Sequence, residues 1–401
     1  MNLHHPPAGA RDLLPLEVAQ KACINDQLQQ VFHRWGYQRI VTSTLEWLDT
    51  LVAGGMIAPS TVIQLQDSGE GRLGLRPELT ASIARAVATR MTDSHPQRLC
   101  YRANVFRNPP EGYHGRQMEF FQAGVELLFA GGVRADAEIL LLFADCLSQL
   151  GLKDWQLVLG DAGLTQSLLA KLPQKLQSPV RDCITRLDLV ELSRLPYPDS
   201  TTKTFALQLF DLRGTVADVL AQLTQFDLEG ESLARVDRLQ SLLSLVQDSY
   251  GAPLPLVLDL SWLQSFDYYT GMVFQAISRQ ADHCYVLGQG GRYDQLLSQY
   301  HPQGQSFPGT GFSLNIEELH QCLLGSDRLP TETAAIDYLV CPVDSEAEGA
   351  AFRYAQWLRQ HHPDRRVELD LGGRSPEELT AYVEKMGIGE IVWVGVEGAI
   401  G

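Results

Sequence analysis

The chain has 401 residues, 45% of them hydrophobic and 20% charged, which is ordinary for a globular protein with room for about two or three domains. Its 48 acidic residues exceed its 32 lysines and arginines, and a net charge of −16 without any basic run argues against a nucleic-acid-binding surface. The N-terminus lacks a secretory pattern, no apolar run reaches the length of a membrane span, and the 7 cysteines form no Cys-x-x-Cys pair. We therefore expect a cytoplasmic protein without disulfides or metal, and a solvated loop at His361-His362.

Hydrophobic periodicity in the first part of the chain predicts alternating helices and strands. A helix over 16–35 ends at Gly36, and the β-branched segment over 37–45 predicts a strand. The following elements are expected to be two short strands within 61–75 around a turn at Asp67-Ser68-Gly69, a helix opened by Pro77, strands over 99–106 and 118–128, and a helix over 135–150.

Helical segments dominate the middle of the chain, from about 165 to 252, with breaks at Pro196, Pro198 and 227–230. The last of these helices carries an apolar stripe typical of core packing, made of Leu233, Val236, Leu239, Leu242, Leu243 and Val246. Strands are expected to resume over 255–260, 271–277 and 284–288, followed by a Pro-Gly turn and another helix within 305–325.

A polar linker over 326–333 separates this region from a small α/β pattern. The pattern consists of a strand over 336–341, a helix over 345–361, a strand over 366–369, a helix over 375–386 and a strand over 390–394. We therefore expect a main domain over 1–325, with the helical insertion at about 165–252, and a small α/β domain over 336–401.

Seven segments follow the order of motifs in histidyl-tRNA synthetases, and over residues 5–325 the chain resembles that family. They are an entry segment at 9–15, motif 1 at 36–46 with Ser43 in place of the usual proline, a segment that holds the amino group at 75–80, motif 2 at 105–107 with 115–116 and 119–126, the Asp-Tyr-Tyr-Thr-Gly motif within 264–274, a Gly-Gly-Arg-Tyr-Asp motif within 288–294, and motif 3 at 309–319. The resemblance implies an α+β fold: a class II aminoacyl-tRNA synthetase-like antiparallel sheet with flanking helices. The tail after 336 resembles a curtailed version of that family's anticodon-binding domain.

The same resemblance implies a histidine-binding site composed of Glu78, Leu79, Thr80, Arg107, Gln122, Glu126, Tyr268 and Tyr269. Its chemistry suits the ligand, because carboxylates accept charge-assisted hydrogen bonds from an ammonium or ring N–H and tyrosines supply hydroxyls and an aromatic wall. Taken singly, an acidic residue at a helix start or a tyrosine pair in a strand needs no ligand, so the order of the motifs carries the prediction. The glycines at 288, 290 and 291 lack a following Gly-Lys-Ser/Thr, and we expect a tight turn there rather than a phosphate loop.

Three departures from the family pattern concern the chemistry of ATP. Gln264 stands at the position of a histidine-specific arginine, Met118 at that of a second motif 2 arginine, and Glu318 at that of the motif 3 arginine that packs on ATP. Adenylate formation builds negative charge on phosphate, and losing one fixed donor typically costs about 3–4 kcal/mol of transition-state stabilisation. We therefore predict a protein that binds histidine without activating it.

Such a chain closely resembles the regulatory subunits of ATP phosphoribosyltransferase, which are paralogues of histidyl-tRNA synthetase. The resemblance implies a non-catalytic subunit without cofactor, a homodimer within a larger hetero-oligomer, which activates a short-form catalytic subunit in histidine biosynthesis and transmits histidine feedback without binding tRNA. An active histidyl-tRNA synthetase with substitute cations is the alternative, and a synthetase-like RNA-binding module is a third, disfavoured by the acidic charge. The sequence leaves open whether histidine uses the ancestral pocket or a subunit interface.

Overall fold

The computed structural model describes residues 4–400 except for 54, 56, 66–68, 70, 92–94, 109–116, 252, 262–267, 281–282 and 373. The predicted turn at Asp67-Ser68, the motif 2 residue Arg116 and the departure at Gln264 thus lie outside the described residues. The chain divides into two compact units, one formed by Met1–Leu13 and Gln20–Leu329 and the other by Leu14–Ala19 and Pro330–Gly401. The division between Leu329 and Pro330 falls inside the predicted polar linker.

Eleven helices precede the division in the described chain. They are α1 Pro15–Arg34, α2 Leu48–Val52, α3 Thr80–Arg90, α4 Val133–Gln149, α5 Ala162–Leu169, α6 Gln174–Thr185, α7 Leu189–Arg194, α8 Ser200–Phe210, α9 Val216–Leu223, α10 Glu231–Tyr250 and α11 Ile316–Leu323. Side-chain caps fix several starts: Asp161 accepts a hydrogen bond from the Leu164 N–H at the start of α5, and Asn315 caps α11.

The strands of this unit form two sheets. They are β1 Gln38–Arg39, β2 Leu45–Trp47, β3 Ile63–Gln64, β4 Leu73–Leu75, β5 Gln97–Phe106, β6 Glu119–Leu128, β7 Gln156–Asp161, β8 Arg213–Gly214, β9 Leu256–Asp259, β10 Met272–Gln280, β11 His283–Arg292 and β12 Gly309–Asn315. Among the described residues, nine strands make the main sheet in the order β1-β5-β6-β12-β11-β10-β7-β9-β8, and β2-β4-β3 make a small one. The pairs β1–β5 and β7–β9 are parallel and the other pairs of the main sheet are antiparallel. The main sheet is largely antiparallel and is flanked by helices, as predicted.

The register of the central strands brings distant residues onto one face of the main sheet. Glu126 on β6 lies opposite Gly311 on β12, and Gly311 lies opposite Gly291 on β11. Because side chains alternate along a strand, Gln122 and Glu126 share one face of β6. Val125 and Leu127, on either side of Glu126, belong to the opposite face and are buried in the apolar core. The polar face of β6 is where the site described below lies.

Several sequence predictions are wrong in detail. The predicted strand over 37–45 is two separate strands, β1 and β2, and the helix predicted to open at Pro77 begins at Thr80. In α10 the predicted stripe holds for Val236 and its buried neighbours, but Leu233 is 48% exposed and Ser232 is buried instead. Strands β7 and β12 were not predicted, since β7 sits between helices and β12 starts with a Gly-Thr-Gly sequence that is typical of a turn.

The second unit contains a four-stranded sheet between two helices. Its elements are β13 Tyr338–Pro342, α12 Glu348–His361, β14 Val367–Leu369, α13 Pro376–Met386, β15 Glu390–Gly395 and β16 Gly398–Ile400, with the strand order β14-β13-β15-β16. Ser375 and Glu378 form a reciprocal capping box at the start of α13. The predicted order of strands and helices is confirmed, and β16 adds an antiparallel edge strand. Across the described residues of both units, no helix is long and apolar enough to cross a membrane.

Candidate functional site

A cavity of about 320 Å³ opens on the polar face of the main sheet. Seven of the eight residues predicted to bind histidine line it, namely Glu78, Thr80, Arg107, Gln122, Glu126, Tyr268 and Tyr269. The sheet, the start of α3 and the segment before β10 thus bring together residues that are far apart in sequence.

Leu79 is the exception among the predicted site residues. Its side chain is 2% exposed and packs in a hydrophobic cluster with Leu48 and Leu51 of α2. It immediately precedes α3, between two residues that do line the cavity. An apolar side chain in this position packs into the core and anchors the start of α3, so Leu79 stabilises the site without lining the cavity.

Glu126 is the most deeply buried charged group of the cavity, with 1% of its surface exposed. Its Oε1 accepts a hydrogen bond of 2.8 Å from the Thr80 hydroxyl, and its Oε2 accepts one from the Tyr293 hydroxyl. Burial raises the pKa of Glu126 from 4.5 to about 8, although the bonds from Tyr293 and Thr80 oppose the rise. A cation entering the cavity would compensate the carboxylate and lower this pKa.

Glu78 has a structural task that can be seen directly. Its two carboxylate oxygens accept hydrogen bonds from the backbone N–H groups of Thr80 at 2.6 Å and Ala81 at 2.8 Å, at the start of α3. Burial raises the pKa of Glu78, and these N–H groups and Arg107 act in the opposite direction. Glu78 therefore caps the start of α3, a role that needs no ligand. The same carboxylate also lines the cavity.

Aromatic side chains form one wall of the cavity. The rings of Tyr268 and Tyr269 lie 4.3 Å apart, and the ring of Tyr293 lies 6.0 Å from that of Tyr268. Tyr101 on β5 lines the same space. Tyr101 and Tyr293 were not predicted: Tyr293 belongs to the Gly-Gly-Arg-Tyr-Asp motif and could have been proposed from it, whereas Tyr101 sits in an ordinary strand sequence. Gln289 and Ser313, also missed, line the cavity from β11 and β12.

Glycines of the sheet make room for these side chains. A Cβ on Gly311 would overlap with Oε2 of Glu126, and one on Gly291 would come within 2.7 Å of the Tyr269 ring. Gly288, Gly290 and Gly291 all lie within β11, so the tight turn predicted for them is wrong. Their function is close approach within a sheet.

In the part of the chain that the structure describes, positive charge is scarce around the cavity. Among the described residues that line it, Arg107 alone is cationic; its Nε donates to the Pro77 carbonyl at 2.7 Å and its guanidinium lies 5.0 Å from the centre of the Phe120 ring. Arg292 is engaged elsewhere, in an ion pair of 2.6 Å with Asp136 and one of 2.8 Å with Asp294. The buried carboxylate of Glu126 and the half-buried one of Glu78 therefore face one arginine among the described lining residues, an arrangement that favours a ligand carrying positive charge.

Two of the three predicted departures can be located. Met118 directly precedes β6, where its carbonyl accepts a hydrogen bond of 2.8 Å from the Arg107 N–H. Glu318 lies half-buried in the first turn of α11 and brings a carboxylate to the motif 3 position. Neither residue supplies a cation.

Comparison with known proteins first defines the class. Residues 9–319 match the model of the histidyl-tRNA synthetase family. The fold is similar to a crystal structure of histidyl-tRNA synthetase from Nostoc sp. PCC 7120, with a TM-score of 0.77, 20% identity and coverage of 99% of this chain and 92% of that one. The molecule is therefore built on the class II synthetase fold of histidyl-tRNA synthetases.

Full-length relatives narrow the class. The chain is 80% identical to the ATP phosphoribosyltransferase regulatory subunit of Synechocystis sp. (strain PCC 6803), covering 99% of both chains, and 61% identical to that of Gloeothece citriformis (strain PCC 7424), covering 99% of this chain and 98% of the relative. A solved structure from Bacillus halodurans, described as an ATP phosphoribosyltransferase regulatory subunit/histidyl-tRNA synthetase, has a TM-score of 0.83 at 27% identity, with 98% of each chain covered. The chain belongs to the family of ATP phosphoribosyltransferase regulatory subunits. This confirms the predicted family, and the relatives' name is that of a regulatory subunit, in agreement with the predicted non-catalytic role.

Proposed function

We propose that this chain is the histidine-sensing partner of a short-form ATP phosphoribosyltransferase catalytic subunit, as a homodimer within a larger complex in the cytoplasm. It stimulates the catalytic subunit, and histidine bound in the cavity reverses that stimulation. The observation that carries the proposal is the buried carboxylate of Glu126, held by the hydroxyls of Thr80 and Tyr293 inside a cavity that also contains Glu78. Histidine offers an ammonium and a ring N–H to such carboxylates.

The electrostatics of the cavity support an amino acid and oppose a nucleotide. Taking an isolated carboxylate out of water is costly, and an incoming cation recovers part of that cost. The triphosphate of ATP would instead bring several negative charges toward Glu78 and Glu126, with Arg107 as the one lining cation among the described residues. The net charge of −16 likewise opposes the binding of tRNA, which is a polyanion.

Histidine is expected to regulate by linkage. A ligand shifts an equilibrium only by the difference between its affinities for the two states, typically about 1–3 kcal/mol for an allosteric effector. The activating and inhibited forms of the complex must therefore differ in the geometry of the cavity.

The isolated chain should bind histidine with a measurable heat. Isothermal titration calorimetry is expected to give a saturable signal below about millimolar ligand, because the charged hydrogen bonds to the cavity are each worth about 1.5–3 kcal/mol. Alanine is the control ligand, since it has the ammonium and carboxylate but no imidazole. Absence of heat with histidine, or equal heat with alanine, would contradict the proposal.

The chain should not form histidyl adenylate. Histidine-dependent exchange of pyrophosphate into ATP is expected to stay at background, because Met118 and Glu318 stand at positions where the synthetase-like reaction requires fixed cations. A purified active histidyl-tRNA synthetase is the positive control for the assay. Exchange above background would favour the alternative, an active synthetase.

A further inference from the structure

The tyrosine wall of the cavity is held in place by contacts of the residue that follows it. Thr270 donates its backbone N–H to the Arg292 carbonyl at 2.8 Å, and its hydroxyl accepts a hydrogen bond of 3.0 Å from the Asp294 N–H. Its own carbonyl accepts a hydrogen bond of 3.1 Å from Nη1 of Arg235. Because Thr270 is covalently joined to Tyr269, these three bonds fix the backbone at the C-terminal end of the tyrosine pair.

Arg235 reaches Thr270 from the helical insertion. It lies in the second turn of α10, with 19% of its side chain exposed, and its Nη1 is 3.8 Å from Oδ1 of Asp161. Asp161 ends β7 and caps α5 through a hydrogen bond of 2.7 Å from the Leu164 N–H. One guanidinium therefore joins α10, the start of α5 and the backbone beside the tyrosine pair.

The sequence leaves space for this guanidinium. Gly163 is the second residue of α5, and a Cβ there would overlap with Nη1 of Arg235 and approach the Thr270 carbonyl to 2.8 Å. Glycine at this position leaves room for both the guanidinium of Arg235 and the Thr270 carbonyl.

We propose that Arg235 is a positioning residue for the histidine cavity and links it to the helical insertion. By fixing the Thr270 carbonyl it sets the position of Tyr268 and Tyr269, and a ligand that orders the tyrosine wall in turn stabilises α10. The inference rests on the proposed function in one respect only, the identity of histidine as the ligand. Coupling between two sites is reciprocal, so it can be measured from either end.

Substitutions at the contact between the insertion and Thr270 should change the affinity for histidine. Arg235→Met should weaken histidine binding about tenfold in a calorimetric titration, since a hydrogen bond from a charged donor is lost. Gly163→Ala, whose Cβ would crowd both Nη1 of Arg235 and the Thr270 carbonyl, should also weaken binding without altering any charge. Arg235→Lys, which keeps a charged donor, should bind more tightly than Arg235→Met. Glu231→Gln is the matched control: it removes the 2.7 Å ion pair of Arg235 with a 76% exposed carboxylate and leaves the Thr270 contact, so binding should be unchanged.

Hydrogen exchange followed by mass spectrometry tests the reverse effect, of histidine in the cavity on the stability of α10. In the native chain histidine should slow exchange in peptides from α10 more than in peptides from α12 of the second unit. The difference should disappear in Gly163→Ala and Arg235→Met at histidine concentrations that saturate each variant. A purely structural role for Arg235 would lower thermal stability without removing this ligand-specific protection.

The two proposals fail differently. A native chain that does not bind histidine refutes the proposed function. A native chain that binds histidine without protecting α10, or variants that bind as tightly as Glu231→Gln, refute the role of Arg235 and leave the proposed function standing. If Arg235→Met does not fold, the native chain, Gly163→Ala and Arg235→Lys still decide the question.

Discussion

Glu126→Gln is expected to remove histidine feedback while leaving activation of the catalytic subunit intact. The amide keeps the shape of the carboxylate but cannot offer a negative charge to the ligand. Truncating one partner of a buried charged contact typically costs about 2–5 kcal/mol, so histidine affinity should fall about a hundredfold or more. Calorimetry measures the affinity, and phosphoribosyltransferase activity of the reconstituted complex with and without histidine measures the feedback.

The same variant should be more stable than the native chain at alkaline pH. Burial raises the folded pKa of Glu126 to about 8 from an ordinary value of 4.5, so the folded state binds an extra proton between these values. The proton's stabilising effect is fully present below pH 4.5 and is lost as the pH rises through about 8. Above pH 8 the native chain therefore carries a costly buried charge. Glu126→Gln should raise the free energy of unfolding by about 1–3 kcal/mol. The gain is smaller than the full pKa shift implies, because the amide is a poorer acceptor for the hydroxyls of Thr80 and Tyr293.

The two effects together distinguish a binding residue from a structural one. Urea unfolding at pH 6 and pH 9 is expected to show the gain growing with pH, while histidine binding is lost at both. Glu46→Gln is a matched control, because its 7% exposed carboxylate forms an ion pair of 2.8 Å with Arg85 outside the cavity and its loss should destabilise the fold. A Glu126→Gln variant that still responds to histidine would place the ligand elsewhere, for instance at a subunit interface.

Sequence patterns predicted those parts of the fold that depend on residues close together in the sequence. The amphipathic helix α1, the long strands β5 and β6 and the alternating elements of the second unit follow from periodicity and from stop signals such as Gly36. Strand β12 did not follow, because its glycines are explained only by distant residues: Gly309 lies against the Tyr293 ring, and Gly311 lies against the Glu126 carboxylate of the paired strand. Leu233 was placed in the core by a periodic pattern that contains no information about where the neighbouring helices end.

The site was predictable to the extent that motif order identified it. Seven predicted residues line one cavity because their motifs converge on one face of the sheet. The bond from Tyr293 to Glu126 joins residues 167 positions apart, and the bond from Arg235 to Thr270 crosses from the helical insertion. Such long-range contacts leave no periodic signal in the sequence, so they had to be found in the structure.

Arg292→Met is expected to cause the largest loss of stability. Arg292 and Asp136 have side chains only 6% and 5% exposed and lie 2.6 Å apart, and a second ion pair joins Arg292 to Asp294. Removing one member of a buried ion pair typically costs about 3–5 kcal/mol, because the remaining charge loses its compensation. Burial already raises the pKa of Asp136, and the attraction of Arg292 opposes the rise, so the variant should bind a further proton and lose most stability at neutral and higher pH.

The comparison with an exposed pair makes this prediction specific to burial. Arg186 forms an ion pair of 2.9 Å with Glu191, but the side chains are 60% and 50% exposed, so Arg186→Met should cost less than about 1 kcal/mol. The double variant Arg292→Met with Asp136→Asn should recover part of the loss, since it leaves no buried charge at Asp136. Urea unfolding of the three variants at pH 7.5 gives the free energies. Equal losses for Arg186→Met and Arg292→Met would mean that the buried ion pair contributes no more to stability than an exposed one, and the structural role assigned to Arg292 would be wrong.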